Sequence, residues 1–168
     1  MASNALAATS TSAFTQPSGP QSSKAPGPVQ FTSYSGNDGA TSAVVITGAI
    51  GDFGHGVRTY ANGTIQKQYN QLDFVVTDGS FRISIVGLER QLVSAFNHFP
   101  SNTKTCSGIV TATGTSPIVA GSGTGDYKGI SGSFNVSITV HEVDSWPKCQ
   151  TLLAETIVTS GSGKVSFG

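Results

Sequence analysis

The stretch PIVAGSGTGDYKGISG, Pro117 to Gly132, lies between two runs of alternating apolar and polar residues and is rich in glycine. Glycine adopts positive φ angles and tolerates close backbone approach at little steric cost, so this composition predicts a connector of tight turns. The run that follows, SFNVSITVHEV from Ser133 to Val143, alternates as a strand with one buried face does. Whether the glycine-rich stretch is a connector or a further strand therefore decides which strands are neighbours.

Composition and charge narrow the class of protein. The chain has 168 residues, a length typical of one domain, with nine basic and nine acidic residues. We expect no nucleic-acid partner, because phosphate binding needs a clustered basic face that this sequence lacks. Only 11% of the residues are charged while 21 are glycine, which favours an all-β fold with many turns. No apolar run approaches the ~20 residues of a membrane-spanning helix, so we expect a soluble chain without a membrane partner.

The N-terminal segment differs from the rest of the chain. Residues 1–28 are rich in Ser, Ala and Pro and offer too little apolar surface to offset the entropy of ordering. We expect a disordered tail there, which is either the remnant of a secretory signal or simply an Ala-rich start, and a β-barrel domain over residues 29–168. The even pair Cys106 and Cys149 favours a secreted, extracytoplasmic protein with a disulfide.

Short β-branched segments bounded by turn residues predict seven or eight antiparallel strands without a crossover helix. This pattern favours an eight-stranded up-and-down β-barrel whose last strand returns to the first. Nine segments have strand character, one more than an eight-stranded barrel holds: 29–34, 42–50, 57–61, 64–68, 72–77, 80–88, 103–113, 133–143, and 152–160 with 164–167 after a glycine-rich bulge.

Three connections between these strands have distinct signals. Asn62-Gly63 and Asp78-Gly79 each predict a two-residue hairpin loop, and the second loop places Phe74 opposite Ile83. In that register Asp73 and Arg82 are diagonal neighbours. GDFGHG at 51–56 predicts a break or bulge after the second strand. ERQLVSAFNHF at 89–99 predicts a lid or loop of one or two helical turns that Pro100 ends, rather than a structural helix.

The glycine-rich stretch also resembles a family signature. GSGTGDYKGISGSF, residues 121–134, is similar to GGTGxFxxAxG of plant dirigent proteins and to GSGxFxGxxG of allene oxide cyclases. CSGIVTATG at 106–114 and TDGSF at 77–81 fall where those proteins have the corresponding strand and hairpin. The resemblance implies an eight-stranded barrel with an apolar cavity, often a dimer or trimer, that steers cyclisation or radical coupling without a metal or organic cofactor.

The two cysteines discriminate between the two interpretations of the glycine-rich stretch. If it were a full strand, up-and-down counting would place Cys106 and Cys149 at opposite ends of the barrel, too far apart for the ~7 Å Cα separation that a disulfide allows. If it is a connector, as in dirigent proteins, the strands before and after it are hairpin neighbours. Both cysteines then lie at the same end and can pair.

An eight-stranded barrel has room inside for side chains or one small ligand. Continuing the alternation of the strand after the connector places Glu142 inward near the barrel end, where desolvation would raise its pKa into a range useful for a general acid or base. The alternative is that the strand has left the core and Glu142 is solvated. Glu155, whose face is ambiguous, and Tyr60 are the other catalytic candidates. The predicted substrate-binding residues are Phe74, Val76, Phe81, Ile83, Phe134, Val136, Ile138 and Trp146, with Ile85 and Val140 on the same apolar face.

Several other kinds of site lack a signal. His55, His98 and His141 lie in three separate segments, so we expect no metal site. No serine lies in a GxSxG motif, and GSGTG lacks the Lys-Ser/Thr of a phosphate loop. Of two glycosylation sequons, Asn135 lies within a strand, which leaves Asn62 as the plausible acceptor.

Three functions are therefore open. The first is a cofactor-free cyclase or isomerase, or a dirigent-like protein, that holds a small apolar reactive intermediate in one conformation while Glu142 assists proton transfer. The second is a carrier barrel that binds such a molecule without chemistry. The third is a secreted structural or interaction protein, which a packed interior without a cavity would favour.

Overall fold

The protein is an antiparallel β structure with one α-helix in the described part of the chain. The computed structural model describes residues 24–36, 40–59 and 70–168. The elements are β1 (Gly27–Gly36), β2 (Thr41–Gly48), β3 (Asp52–Thr59), β4 (Gln71–Val76), β5 (Gly79–Ser84), α1 (Val86–Phe96), β6 (Ser107–Pro117), β7 (Ile130–Asp144) and β8 (Leu152–Phe167).

The eight strands form one curled sheet in the order β5-β4-β3-β2-β1-β8-β7-β6, with β8 returning to pair with β1. The all-β, antiparallel prediction is therefore confirmed. The sheet forms a half-barrel, because β5 and β6 at its two edges are not joined by a continuous ladder. A bridge joins Ile83 of β5 to Ile118, the residue that follows β6.

Apolar side chains from alternate positions fill the concave side of the sheet. All nine residues of the predicted inward face are buried: Phe74, Val76, Phe81, Ile83, Ile85, Phe134, Val136, Ile138 and Val140. Phe31 packs edge-to-face against both Phe74 and Phe134, with ring centroids 4.8 and 5.4 Å apart. Aromatic rings thus fill the middle of the fold from three different strands.

The glycine-rich stretch is a connector, as predicted. It leaves β6 at Pro117 and lies along the edge of β5, where Val119 N–H donates to the Arg82 carbonyl (2.8 Å) and Thr124 N–H donates to the Ser80 carbonyl (2.8 Å). Gly125 has φ +56°, and a Cβ there would lie 2.2 Å from the Asp78 carbonyl oxygen. A side chain at this position is excluded, so glycine lets the connector satisfy the exposed edge of β5.

The connector makes β6 and β7 hairpin neighbours and places the two cysteines together. Cys106 precedes β6, Cys149 lies in the turn between β7 and β8, and the two form a disulfide with a Cα–Cα distance of 5.0 Å. Both therefore lie at the end of the sheet where β7 ends, which we call the disulfide end. The predicted disulfide is confirmed, and the interpretation of the stretch as a further strand is excluded.

The register predicted for the hairpin of β4 and β5 is wrong by two residues. Asp73 lies directly opposite Arg82, and Phe74 opposite Phe81, because the loop is Thr77-Asp78. The Asp52 carboxylate accepts hydrogen bonds from the backbone N–H groups of Thr77 (3.2 Å) and Asp78 (3.1 Å), which fixes those two residues as the loop. The shift of two keeps the same side chains inside, so the predicted core survives the error.

The segment predicted as a short lid is a structural helix. Helix α1 has 11 residues, and its buried Leu88 and Leu92 pack into the hydrophobic core. Leu88 approaches Gly114 of β6, and Gln91 Oε1 accepts from Thr113 N–H at 3.4 Å. The helix packs on β6, at the side where the two edges of the sheet do not pair. Residues 89–99 alone did not predict this packing, because the contacts are made with a distant strand.

Three further expectations about strands are corrected. The predicted break after the second strand is present but shorter than GDFGHG: β2 ends at Gly48 and β3 begins at Asp52, so most of the segment is strand. Gly54 is needed in β3 because a Cβ would lie 2.3 Å from the Val75 carbonyl oxygen. The last strand is continuous from Leu152 to Phe167, and the irregularity lies at Val143/Asp144 instead. The predicted pairing of 57–61 with 64–68 is wrong where it can be checked, because Val57 to Thr59 belong to β3 and pair with Gln71 to Asp73 of β4. The Asn62-Gly63 turn, residues 64–68 and most of the 1–28 tail lie outside the described residues.

Candidate functional sites

The carboxylates predicted from the sequence meet at the disulfide end. Glu142 on β7 lies directly opposite Glu155 on β8. Glu155 shares the inward face with Ile157 and Thr159, both buried, which resolves the ambiguity of its orientation. Burial, then the nearby carboxylates of Asp144 and Glu155, raises the pKa of Glu142 to about 7. The predicted direction of the shift is confirmed, and Glu142 can exchange a proton near neutral pH.

A second charged pair lies at the same end. Burial raises the pKa of Glu89 in α1, and the positive charge of Arg58 on β3 opposes that effect. Arg58 lines the inner surface of the sheet with Ser33, Ser42 and Thr159. Tyr60, the third predicted catalytic residue, lies outside the described residues.

The described cavity beside Arg58 is very small. It measures about 20 Å³, roughly the size needed for a single water molecule, and Glu142, Glu155 and Glu89 are not among its lining residues. The other predicted substrate-binding residues are core residues packed against one another, apart from Trp146. Trp146 is 71% exposed in the turn after β7, away from the interior. The described cavity beside Arg58 is too small for a small organic ligand.

A buried polar pair that the sequence did not predict lies at the opposite end. The Tyr127 hydroxyl donates to Asp52 Oδ2 at 2.6 Å, and the Tyr127 side chain is fully buried. Burial would raise the pKa of Asp52, but the hydrogen bonds from Tyr127, Phe53 and Asp78 outweigh it and lower that pKa. Lys24 donates to Asp78 Oδ2 (2.8 Å) and lies 5.1 Å from the centre of the Tyr127 ring. The pair joins the connector to β3 and is structural.

A groove of about 570 Å³ lies on the outer face of β6, β7, β8 and β1. Its floor includes Gly161, where a Cβ pointing inward would lie 2.1 Å from Phe31 Cε1. The side chains that line its outer face are hydroxyls and amides, and none of those described is charged: Gln30, Thr32, Thr113, Thr115, Asn135, Ser137, Ser160 and Ser162.

Strand pairing arranges these groups in two rows across the sheet. One row consists of Gln30, Ser162, Asn135 and Thr115. The other consists of Thr32, Ser160, Ser137 and Thr113. We call the surface formed by both rows the hydroxyl groove. Adjacent strands lie about 4.8 Å apart, so each row presents a polar side chain at that interval.

The sequence contained the alternation that produces the hydroxyl groove but not its shape. Ser and Thr at outward positions are expected on any strand that faces water. Their role as a lining depends on the curvature of four strands and on the packing of Phe31 beneath Gly161, both of which are tertiary features. The signal available from sequence was the absence of Lys, Arg, Asp and Glu from the central outward positions of β7 and β8.

Comparison of the chain with protein-family models, curated proteins and solved structures found no match. The resemblance to dirigent proteins and allene oxide cyclases therefore stays a prediction. Among the described residues, no three His, Cys, Asp or Glu side chains are grouped to hold a metal ion. No helix in the same residues has the length and hydropathy to cross a membrane.

Proposed function

We propose that this chain is a non-catalytic binding module whose ligand lies in the hydroxyl groove. The observation behind the proposal is the contrast between an interior cavity of about 20 Å³ and an outer groove of about 570 Å³. Ligand pockets for small organic molecules commonly measure about 300–1,000 Å³. The volume of the groove falls in this range, although the groove is open to solvent, whereas the volume of the described interior cavity does not.

The groove is built on a stiff support. Gln30, Thr32, Ser137 and Ser160 belong to three central strands whose opposite faces are buried in the aromatic core. Side chains on packed strands lose little further freedom when a ligand binds, which favours affinity. A second depression of about 320 Å³, lined by Val45 and Thr47, adjoins the groove through the shared residues Gln30 and Thr32.

Fragment screening by two-dimensional NMR tests the proposal, using a library that contains both apolar and neutral polar compounds. We expect hits to shift the amide signals of β1, β7 and β8 at groove positions. Ser160→Trp should fill the groove and abolish those hits, because Ser160 is exposed at its centre. Ser131→Trp is the matched control. Ser131 is an exposed serine on the outer face of β7, the face that carries Ser137, but it lies outside the groove. Hits that map to the interior, or that survive Ser160→Trp, would refute the proposal.

A second function is favoured by one observation, the half-buried Glu142 with a pKa of about 7 beside Glu155 and Asp144. These groups suit a cofactor-free cyclase or isomerase of the dirigent type, with Glu142 moving a proton. That function also needs a closed barrel with an internal cavity. The sheet would have to enclose more space than the half-barrel described above. It predicts that apolar fragments bind inside and that Glu142→Gln abolishes their conversion while leaving their binding unchanged.

The packed core and the small described cavity also support the third possibility, a secreted structural or interaction protein. A secreted location fits all three functions. The disulfide between Cys106 and Cys149 is compatible with an oxidising compartment. Self-association into dimers or trimers also stays a proposal, and sedimentation of the purified protein measures it directly.

A further inference from the structure

We infer that the ligand of the hydroxyl groove is a neutral glycan chain that crosses the strands and places one sugar ring on Phe53. The inference rests on the proposed function of the groove. It adds the chemical class of the ligand and states that the ligand runs across the strands. Three features of the surface support it: the type of polar group, the lack of charge, and an apolar platform at one end.

The polar groups match those of a carbohydrate. Serine and threonine hydroxyls each donate one hydrogen bond and accept two, and the amides of Gln30 and Asn135 do both. Sugar hydroxyls also both donate and accept. A sugar hydroxyl and a neighbouring side chain of the groove can therefore form a hydrogen bond with either one as the donor. Thr115 Oγ1 already donates to Asn135 Oδ1 at 3.3 Å, which orients that amide along the row.

The absence of charge excludes other ligand classes. A phosphate, sulfate or carboxylate ligand is normally held by Arg or Lys, and none of the described residues that line the groove is either. A nucleic acid would need several such contacts. A peptide would add to an open strand edge, whereas β1, β7 and β8 are paired on both sides.

An apolar platform continues one row of the groove. Thr32 pairs with Val45 on β2, and Val45 pairs with Phe53 on β3. Val45 is 57% exposed and Phe53 is 67% exposed, so both present an apolar surface to solvent. A sugar ring has polar edges and an apolar C–H face, and the ring of Phe53 offers a flat surface for that face.

The row from Thr113 to Phe53 crosses six strands. Its five intervals of about 4.8 Å give a length of about 24 Å, enough for a chain of several sugar rings. A single ring would contact only the groove or only the platform. The surface is therefore expected to discriminate in favour of oligosaccharides over disaccharides.

Titration of the whole chain with cellohexaose, xylohexaose and mannohexaose, monitored by two-dimensional NMR, tests this inference. We expect at least one hexasaccharide to shift amide signals in the groove and at Phe53, and to bind at least tenfold more tightly than the corresponding disaccharide. Phe53→Ala should weaken hexasaccharide binding roughly three- to tenfold, as expected for loss of one aromatic stacking contact. Trp146→Ala is the matched control, since Trp146 is equally exposed but lies at the disulfide end.

The outcomes separate this inference from the proposal on which it rests. If no hexasaccharide shifts groove signals while library fragments still do, the glycan assignment is wrong and the binding module stands. If neither the hexasaccharides nor the library fragments shift groove signals, both are wrong. A change in sedimentation of Phe53→Ala, without a change in glycan affinity, would show that the platform joins two copies of the chain and would also overturn the assignment.

Discussion

Replacing Tyr127 with phenylalanine removes one hydroxyl from the buried pair that joins the connector to β3. That hydroxyl donates to Asp52 Oδ2 at 2.6 Å, and Asp52 is only 5% exposed. Hydrogen bonds to charged groups contribute about 1.5–3 kcal/mol, so Tyr127→Phe should lower the free energy of unfolding by that amount. For a chain of this length the melting temperature should fall by roughly 3–12 °C.

The effect should depend on pH in a definite direction. The hydrogen bonds to Asp52 hold its pKa below the ordinary value of 3.8 in the folded state. Stability from a depressed carboxyl pKa is present above the unfolded pKa and is lost as pH falls through the folded pKa. The difference between wild type and Tyr127→Phe should therefore be full at pH 7 and should shrink below about pH 4.

Urea unfolding at pH 7 and pH 3 measures both quantities. Tyr34→Phe is the control, because Tyr34 is 57% exposed and its substitution should change stability by less than about 0.5 kcal/mol. A Tyr127→Phe protein as stable as wild type at pH 7, or equally destabilised at both pH values, would refute the role assigned to the pair.

Three further predictions concern the core, the disulfide and the carboxylates. Gly161→Ala should cost about 1–3 kcal/mol in chemical unfolding, because the added methyl overlaps Phe31, whereas Gly87→Ala has no atom within 4 Å and should not destabilise. Replacing both cysteines with serine should lower the free energy of unfolding by about 2–4 kcal/mol, and an unchanged urea midpoint would contradict this. Since the pKa of Glu142 is raised to about 7 from 4.5, folding loses stability as pH rises between these values. Glu142→Gln should therefore raise the urea midpoint at pH 8 but not at pH 4, and an equal shift at both would exclude this origin.

Local alternation was sufficient to predict the core. Phe74, Phe81, Phe134 and Ile138 occupy the inward positions that a period of two assigns to them, and a register error of two residues left their faces unchanged. The connector was predictable only with the help of the cysteines, because a disulfide between Cys106 and Cys149 requires the strands on either side of the connector to be hairpin neighbours. The core prediction, by contrast, depends only on neighbours in sequence.

The features that the sequence did not reveal depend on distant contacts. The loop at Thr77-Asp78 is set by Asp52, about 25 residues earlier in the chain. Helix α1 is stabilised by contacts with β6, a strand that lies outside the segment from which the helix was predicted. The catalytic candidates Glu142 and Glu155 do meet, but whether a cavity lies beside them depends on how completely aromatic rings fill the space. The alternation of apolar and polar residues along a strand does not indicate how much empty volume is left inside the fold.

The location of the first ligand that binds this chain tests the central claim most directly. Amide shifts and intermolecular contacts should place it on the outer face, over Ser137 and Ser160, with core signals such as those of Phe74 and Phe134 unchanged. A ligand with contacts to those core residues, or to Glu142 from the inner side, would contradict the account and would favour a cavity-bearing barrel.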